Sequence, residues 1–352
     1  MSSPTPTLTI TRPDDWHLHL RDGPELAAVV AASARAFARA IVMPNLKPPA
    51  TTVAAAGRYR DRIRAALPPG ASFEPLMTLY LTETTEAAEI NRAAASGFVL
   101  GVKCYPAGST THSEAGVTSL ARCQAVLERM EERDVVLQLH GEVTGDDVDP
   151  FDRESLFVER ELAPLVKRHP RLRVVLEHVT TRAGVEFVRA AGRRVGATIT
   201  PQHLLLNRGA MFRGGLRPHL YCLPVLKRER DRLALIDAAT SGDPQFFLGT
   251  DSAPHAKSTK ESSCGCAGIY SAPAALELYA RAFELAGKLD RLEGFASFHG
   301  ADFYGLPRNT GTVVLERQAW TLPESYPFGA DKVVPMGAGE PLEWKLREPA
   351  SP

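Results

Sequence analysis

Eight short apolar runs, each followed by a helix-like segment, constrain this chain more than any other feature. They read as strands over residues 14–22, 39–45, 74–82, 98–105, 135–141, 172–179, 195–200 and 245–251. Helical spacing fills the gaps: from an Asp22 N-cap to about 38, then 52–67, 86–96, 117–133, 153–168, 183–191 and 227–240, with a closing helix at 272–287. Strands alternating with helices pair in parallel, and eight such units close into an α/β (β/α)8 TIM barrel. An open doubly wound sheet is the alternative, but no Gly-x-Gly-x-x-Gly follows the first strand. A short strand near 8–11 precedes a barrel core of about 12–290. Residues 305–352 lose the alternation and read as a C-terminal extension with a strand at 312–316, and residues 1–352 read as one domain.

Composition narrows the function classes. The 352 residues carry 41 Lys plus Arg and 41 Asp plus Glu, a formal net charge of zero. No bulk field then favours nucleic acid or a membrane surface, and neither is expected as a partner. The basic clusters Arg193-Arg194 and Lys227-Arg228-Glu229-Arg230 read as solvated helix ends and faces. No charged n-region and apolar h-region opens the chain, and no uncharged apolar run approaches bilayer length. Five cysteines are too sparse for a disulfide framework, so a reduced, cytoplasmic setting is expected. Cys264-Gly-Cys266 cannot make a tetrahedral metal site alone and reads as loop-shaping.

In a barrel of this kind the C-terminal strand ends line the active site. The residues there are His17 and His19, Asn45, Lys103, His140, His178 and Asp251. Strand alternation places His17, His19 and Arg21 on one face of the first strand and Trp16, Leu18 and Leu20 on the other. A lone His-x-His is compatible with an ordinary core strand. Six ligand-type residues at the ends of five strands are not, because a packed interior favours Val, Ile and Leu. Lys103 admits two accounts, an ion-pair partner for Asp251 or a carbamate formed with CO2 that bridges two cations. Arg21 offers a fork for an anionic substrate, or else pairs with Asp15 or Asp22. The Gly-, Ser- and Thr-rich loop 106–116 carries Thr110 and Thr111 and suits a mobile lid or a plain solvated loop. Of the other histidines, His169 is expected to be exposed, His112 and His299 have no evident partner, and His203 and His219 read as structural.

The words Asp-Asp-Trp-His-Leu-His-Leu-Arg-Asp, Val-Met-Pro-Asn-Leu, His-Gly-Glu-Val-Thr, Gly-Thr-Asp-Ser-Ala-Pro-His and Glu-Ser-Ser-Cys-Gly-Cys-Ala-Gly carry a resemblance. With Arg-Pro-His-Leu-Tyr-Cys-Leu-Pro at 217–224, they make the chain similar to the amidohydrolase superfamily from about Leu8 to Leu306. Within it the chain resembles the single-function bacterial dihydroorotases of pyrimidine (UMP) biosynthesis. The resemblance implies two zinc ions per subunit, bridged by N6-carboxylated Lys103 and a hydroxide. His17, His19 and Asp251 would hold one zinc, His140 and His178 the other. Asp251 would also move the proton in the reversible cyclisation of N-carbamoyl-L-aspartate to L-dihydroorotate and water. Arg21, Asn45 and His255 would hold the substrate carboxylate, Thr110 and Thr111 would close over it, and backbone groups at Leu223 and Ala267 would contact the ring. A homodimer is implied as well. The rivals are a hydantoinase or dihydropyrimidinase, which needs no carboxylate clamp, and a non-catalytic scaffold, which would lack the ligand set.

Overall fold

Strand β1 (Thr7–Thr11) precedes eight strands that form one sheet: β2 (Asp14–Leu18), β3 (Arg39–Val42), β4 (Glu74–Tyr80), β5 (Val99–Cys104), β6 (Val136–His140), β7 (Val174–Glu177), β8 (Val195–Ile199) and β9 (Phe246–Leu248). The computed structural model describes residues 6–348; the leader reading at residues 1–5 lies outside the described residues. Neighbouring strands β2 to β9 pair in parallel in chain order. The ring closes where Asp251 N donates to His17 O at 2.9 Å and His19 N to Ser252 O at 3.1 Å. Asp15 locks the same seam from inside, accepting from Thr250 N at 2.9 Å and Thr250 Oγ1 at 2.6 Å. The barrel expected from the strand–helix alternation is the fold.

Alternation along each strand divides the core into two shells. Ala40, Val42, Leu137, Leu139, Val174 and Leu176 pack outward under the helices. Ile41, Leu76, Val136, Val175 and Phe247 fill the interior. Helix Leu26–Ala36 shows the outer logic: Leu26, Val29, Val30, Ser33 and Ala34 are buried on one side. Helix Arg182–Ala190 begins where the Thr181 hydroxyl accepts Gly184 N at 3.0 Å. The barrel floor is helix His299–Tyr304, whose Tyr304 ring stacks on Trp16 at 4.9 Å while its hydroxyl accepts from Gln138 Nε2 at 2.8 Å. Each aromatic ring buried there contributes roughly 1.5–3 kcal/mol.

The structure corrects several local expectations. The first barrel strand ends at Leu18, and its pairing register slips between Asp15 and Leu18. That slip turns Trp16 into the barrel interior with Val136 and Val175, beside His17, while Leu18 and Leu20 stay in the outer shell. The helix at 153–168 is interrupted by a π-helical turn at Val158–Leu162, and the one at 117–133 starts only at Gln124, after a 3-10 turn. His169 is buried, with Nδ1 at 3.4 Å from Glu131 Oε2. Lys227 is also buried, donating to Val225 O at 3.0 Å, although its neighbours in the basic cluster lie outside. Beyond the barrel, β10 (Thr312–Glu316) pairs antiparallel with β1 and with Lys345–Leu346. No helix among the described residues is long and apolar enough to cross a membrane.

Candidate metal centre

Residues from the C-terminal ends of β2, β5, β6, β7 and β9 meet at the open end of the barrel. His17, His19 and Asp251 are buried there with ligand atoms within 4.8 Å of one another. His19 Nε2 lies 3.1 Å from Asp251 Oδ1, and His17 Nε2 lies 3.4 Å from both. The His178 ring continues the cluster, 5.0 Å from His17 and 4.8 Å from His140 between centroids. Burial, reinforced by Arg21 at His19 and by Lys103 at His178, holds the His19 and His178 imidazoles well below their usual pKa, in the neutral form that binds metal.

Lys103 lies beneath the cluster with no exposure, and its Nζ has no hydrogen-bond partner. Burial, only partly offset by the charges of Glu177 and Asp251, pulls its pKa down to about 8. The ion-pair account of Lys103 is therefore not the geometry found, since no carboxylate oxygen lies within hydrogen-bond reach of it. His178 Nδ1 and Glu177 Oε1 are likewise buried and unpartnered. Buried polar atoms without partners are costly. A divalent metal pair with a carboxylated lysine would satisfy this donor set of neutral imidazoles, carboxylate and amine, so the residues fit the implied group.

Two carboxylates absent from the strand-end reading hold the histidines. Glu177 Oε2 accepts from His17 Nδ1 at 2.7 Å and from Thr198 Oγ1 at 2.6 Å. Glu142 Oε2 lies 2.8 Å from His140 Nε2. Alternation would send Glu177 away from the cavity if its neighbour His178 faces it. His178 has φ of 40°, in the left-handed region, so both side chains turn inward. Asp251 at φ 44° and Arg21 at φ 63° share this conformation. Such backbone costs on the order of 1 kcal/mol or more at each non-glycine position and concentrates at functional sites.

Above the cluster is a narrow cavity lined in part by Arg21, Asn45, Thr110, Thr111, Leu223 and Ala267. Arg21 pairs with neither Asp15 nor Asp22: its Nε donates to Pro254 O at 2.9 Å, and its Nη2 lies 2.9 Å from His255 Nε2. Burial and Arg21 push the His255 pKa down to about 2, so the ring is neutral. A guanidinium only donates, and Nε2 of a neutral ring is either acceptor or donor, so it accepts from Arg21 or, in the other tautomer, donates to Ala267 O 3.0 Å away. Lys103 and His255 are not among the residues that line the cavity. Loop 106–116 lies over the cavity: Asn45 Nδ2 donates to Thr111 O at 3.1 Å and Thr111 Oγ1 to Ala267 O at 3.4 Å. The remaining histidines find partners: His112 Nδ1 is 3.2 Å from Asn45 O, His299 Nδ1 3.0 Å from Phe246 O, and His219 pairs with Glu261 at the surface. Buried His203 sits between Thr200 Oγ1 and Pro224 O. Cys264 and Cys266 stand with sulfurs 3.9 Å apart on the loop that carries Ala267.

The profile of the amidohydrolase family matches residues 5–322. The chain belongs to the amidohydrolase family. Within it, this amidohydrolase is 65% identical over 339 residues to a dihydroorotase of Alkalilimnicola ehrlichii, covering 96% of this chain and 99% of that one. A crystal structure of dihydroorotase from Campylobacter jejuni superposes with a TM-score of 0.90 at 34% identity, covering 99% of both chains. The Saccharomyces cerevisiae dihydroorotase in complex with 5-fluoroorotic acid superposes with a TM-score of 0.89 at 32% identity, covering 98% of this chain and 100% of that one. The amidohydrolase is accordingly a member of the dihydroorotase branch, a hydrolase acting on cyclic amides.

Proposed function

We propose that the chain catalyses the reversible cyclisation of N-carbamoyl-L-aspartate to L-dihydroorotate and water, in de novo pyrimidine biosynthesis. The observation that carries this reading is the Arg21–His255 pair beside the cluster of His17, His19 and Asp251. A ring amide beside a carboxylate needs both a metal centre and a cationic clamp. A hydantoinase needs no clamp, and a non-catalytic relative needs no ligand set.

In this reading His17, His19 and Asp251 would hold one zinc and His140 and His178 the other, with carboxylated Lys103 as a ligand of the pair. Zinc held in this way would supply a hydroxide near neutral pH and polarise the carbonyl under attack. Carboxylation begins at the neutral Lys103 amine: Nζ forms a bond to CO2 carbon and releases one proton. Asp251 takes a proton and delivers it to the ring nitrogen that leaves in hydrolysis, then reverses the transfer in cyclisation. Arg21 forks onto the substrate carboxylate in place of His255 Nε2, and His255 donates from Nε2 in its Nε2–H tautomer; Asn45 adds a third donor. Thr110 and Thr111 close over the ring, and backbone groups at Leu223 and Ala267 fix its edge.

The polypeptide is read as one amidohydrolase domain acting in the cytoplasm as a homodimer, which sedimentation velocity tests. The decisive experiment follows dihydroorotate hydrolysis in the same sample whose zinc is counted. No turnover in a sample with two zinc per chain would remove this reading.

A further inference from the structure

Lys260 ends the one-turn helix Lys257–Lys260 in the loop after β9, and it is only 3% exposed. Its Nζ donates to three backbone carbonyls, Tyr221 O, Cys266 O and Gly268 O, each at 2.8 Å. An ammonium has three protons, and here each has its acceptor. The titratable groups bearing on it are the thiols Cys222 and Cys266, the His255 ring and the Tyr221 ring 5.7 Å from Nζ, with no carboxylate among them, and burial draws its pKa down to about 8. Burying a cation without a counter-charge costs stability. What Lys260 supplies is therefore position.

The three carbonyls come from two chain segments that both reach the cavity lining. Tyr221 stands two residues before Leu223, and Cys266 and Gly268 flank Ala267. Leu223, Ala267 and Gly268 all line the cavity. Peptide units alternate along the second segment: carbonyls 266 and 268 turn to Lys260, while Ala267 O turns to His255 Nε2 at 3.0 Å and Thr111 Oγ1 at 3.4 Å. Gly268 makes this route passable, because at φ 154° an added Cβ would lie 2.5 Å from Ala253 O. Gly268 N also donates to Tyr221 O at 3.0 Å, so the two segments meet at the acceptor that Lys260 shares.

We propose that Lys260 is a positioning residue for substrate binding: it staples the 221–224 segment to the 266–268 segment and so sets the spacing of the Leu223 and Ala267 backbone groups in the cavity lining. This rests on the reading that those groups contact dihydroorotate. Substitution Lys260→Met keeps the stem and removes the donors. The variant is expected to raise KM for dihydroorotate about tenfold, with kcat within about threefold and zinc content unchanged. Amide hydrogen exchange in 221–224 and 266–268 should accelerate together, with exchange at 17–19 unaltered. An unchanged KM, or faster exchange in one segment or neither, overturns the staple. Should Lys260→Met fail to fold, Lys260→Leu, which likewise removes the donors, is judged by the same criteria. Absence of dihydroorotate hydrolysis by the unmodified enzyme would strike the functional reading instead, and the paired exchange result would still decide the staple.

Discussion

Glu177 Oε2 accepts from His17 Nδ1 at 2.7 Å, across the barrel from one strand end to another. The proton on Nδ1 leaves Nε2 as the lone-pair nitrogen, and Nε2 is the atom that faces His19 and Asp251. Partners of this kind typically change metal affinity by roughly 10–100-fold. Glu177→Gln should therefore weaken zinc binding by at least about tenfold in chelator competition. Equal affinity in the variant would mean that packing alone orients His17.

Lys103 ties activity to pH through its neutral amine. With a pKa of about 8, its reactive fraction rises as pH rises and saturates above that value. In metal-free, decarboxylated enzyme held at one fixed partial pressure of CO2 and then given zinc, the rate of reactivation should climb about tenfold between pH 6 and 7 and level off above about 8. Lys103→Ala should lose zinc and turnover together, and short carboxylic acids should restore part of both. A variant fully active without them would remove the bridging role.

Arg21→Met should act mainly on substrate affinity. A charge-assisted bond to a carboxylate is worth about 1.5–3 kcal/mol, so KM for dihydroorotate should rise on the order of 10–100-fold. Steady-state kinetics decide it: if KM stays constant, the substrate carboxylate is held elsewhere.

Asp251→Asn keeps an oxygen for coordination and loses the proton carrier. Turnover should drop by roughly 10²–10⁴-fold, and zinc content should fall much less. Parallel loss of zinc and rate would reduce Asp251 to a ligand.

Much of this was legible in the chain because the apolar strand runs end on ligand-type residues, and a barrel gathers those ends. What escaped depends on departures from ideal geometry. Glu177 is invisible to alternation because only the left-handed φ of His178 lets two consecutive side chains face inward. Trp16 reads as outer-facing by alternation because the register slip in β2 is a tertiary feature. Lys260 sits in the polar string Lys-Ser-Thr-Lys-Glu and has the signature of a solvated charge. Its three acceptors are main-chain carbonyls, which no side-chain pattern announces. His169 likewise reads as exposed beside Pro170, yet the chain folds over it.

The seam between β2 and β9 carries a consequence for how the molecule comes together. His17 and His19 stand on one side of that seam and Asp251 on the other, joined by the bonds that close the ring. Residues 234 positions apart in the chain, 17 to 251, must meet before this triad exists, whereas His140 and His178 are brought near by two neighbouring strands. An unfinished barrel, halted before its last strand docks, would carry one half of the centre and not the other. Tight metal capture at the triad is thus a report that the cylinder has shut, and the enzyme acquires its chemistry at the moment its topology is completed.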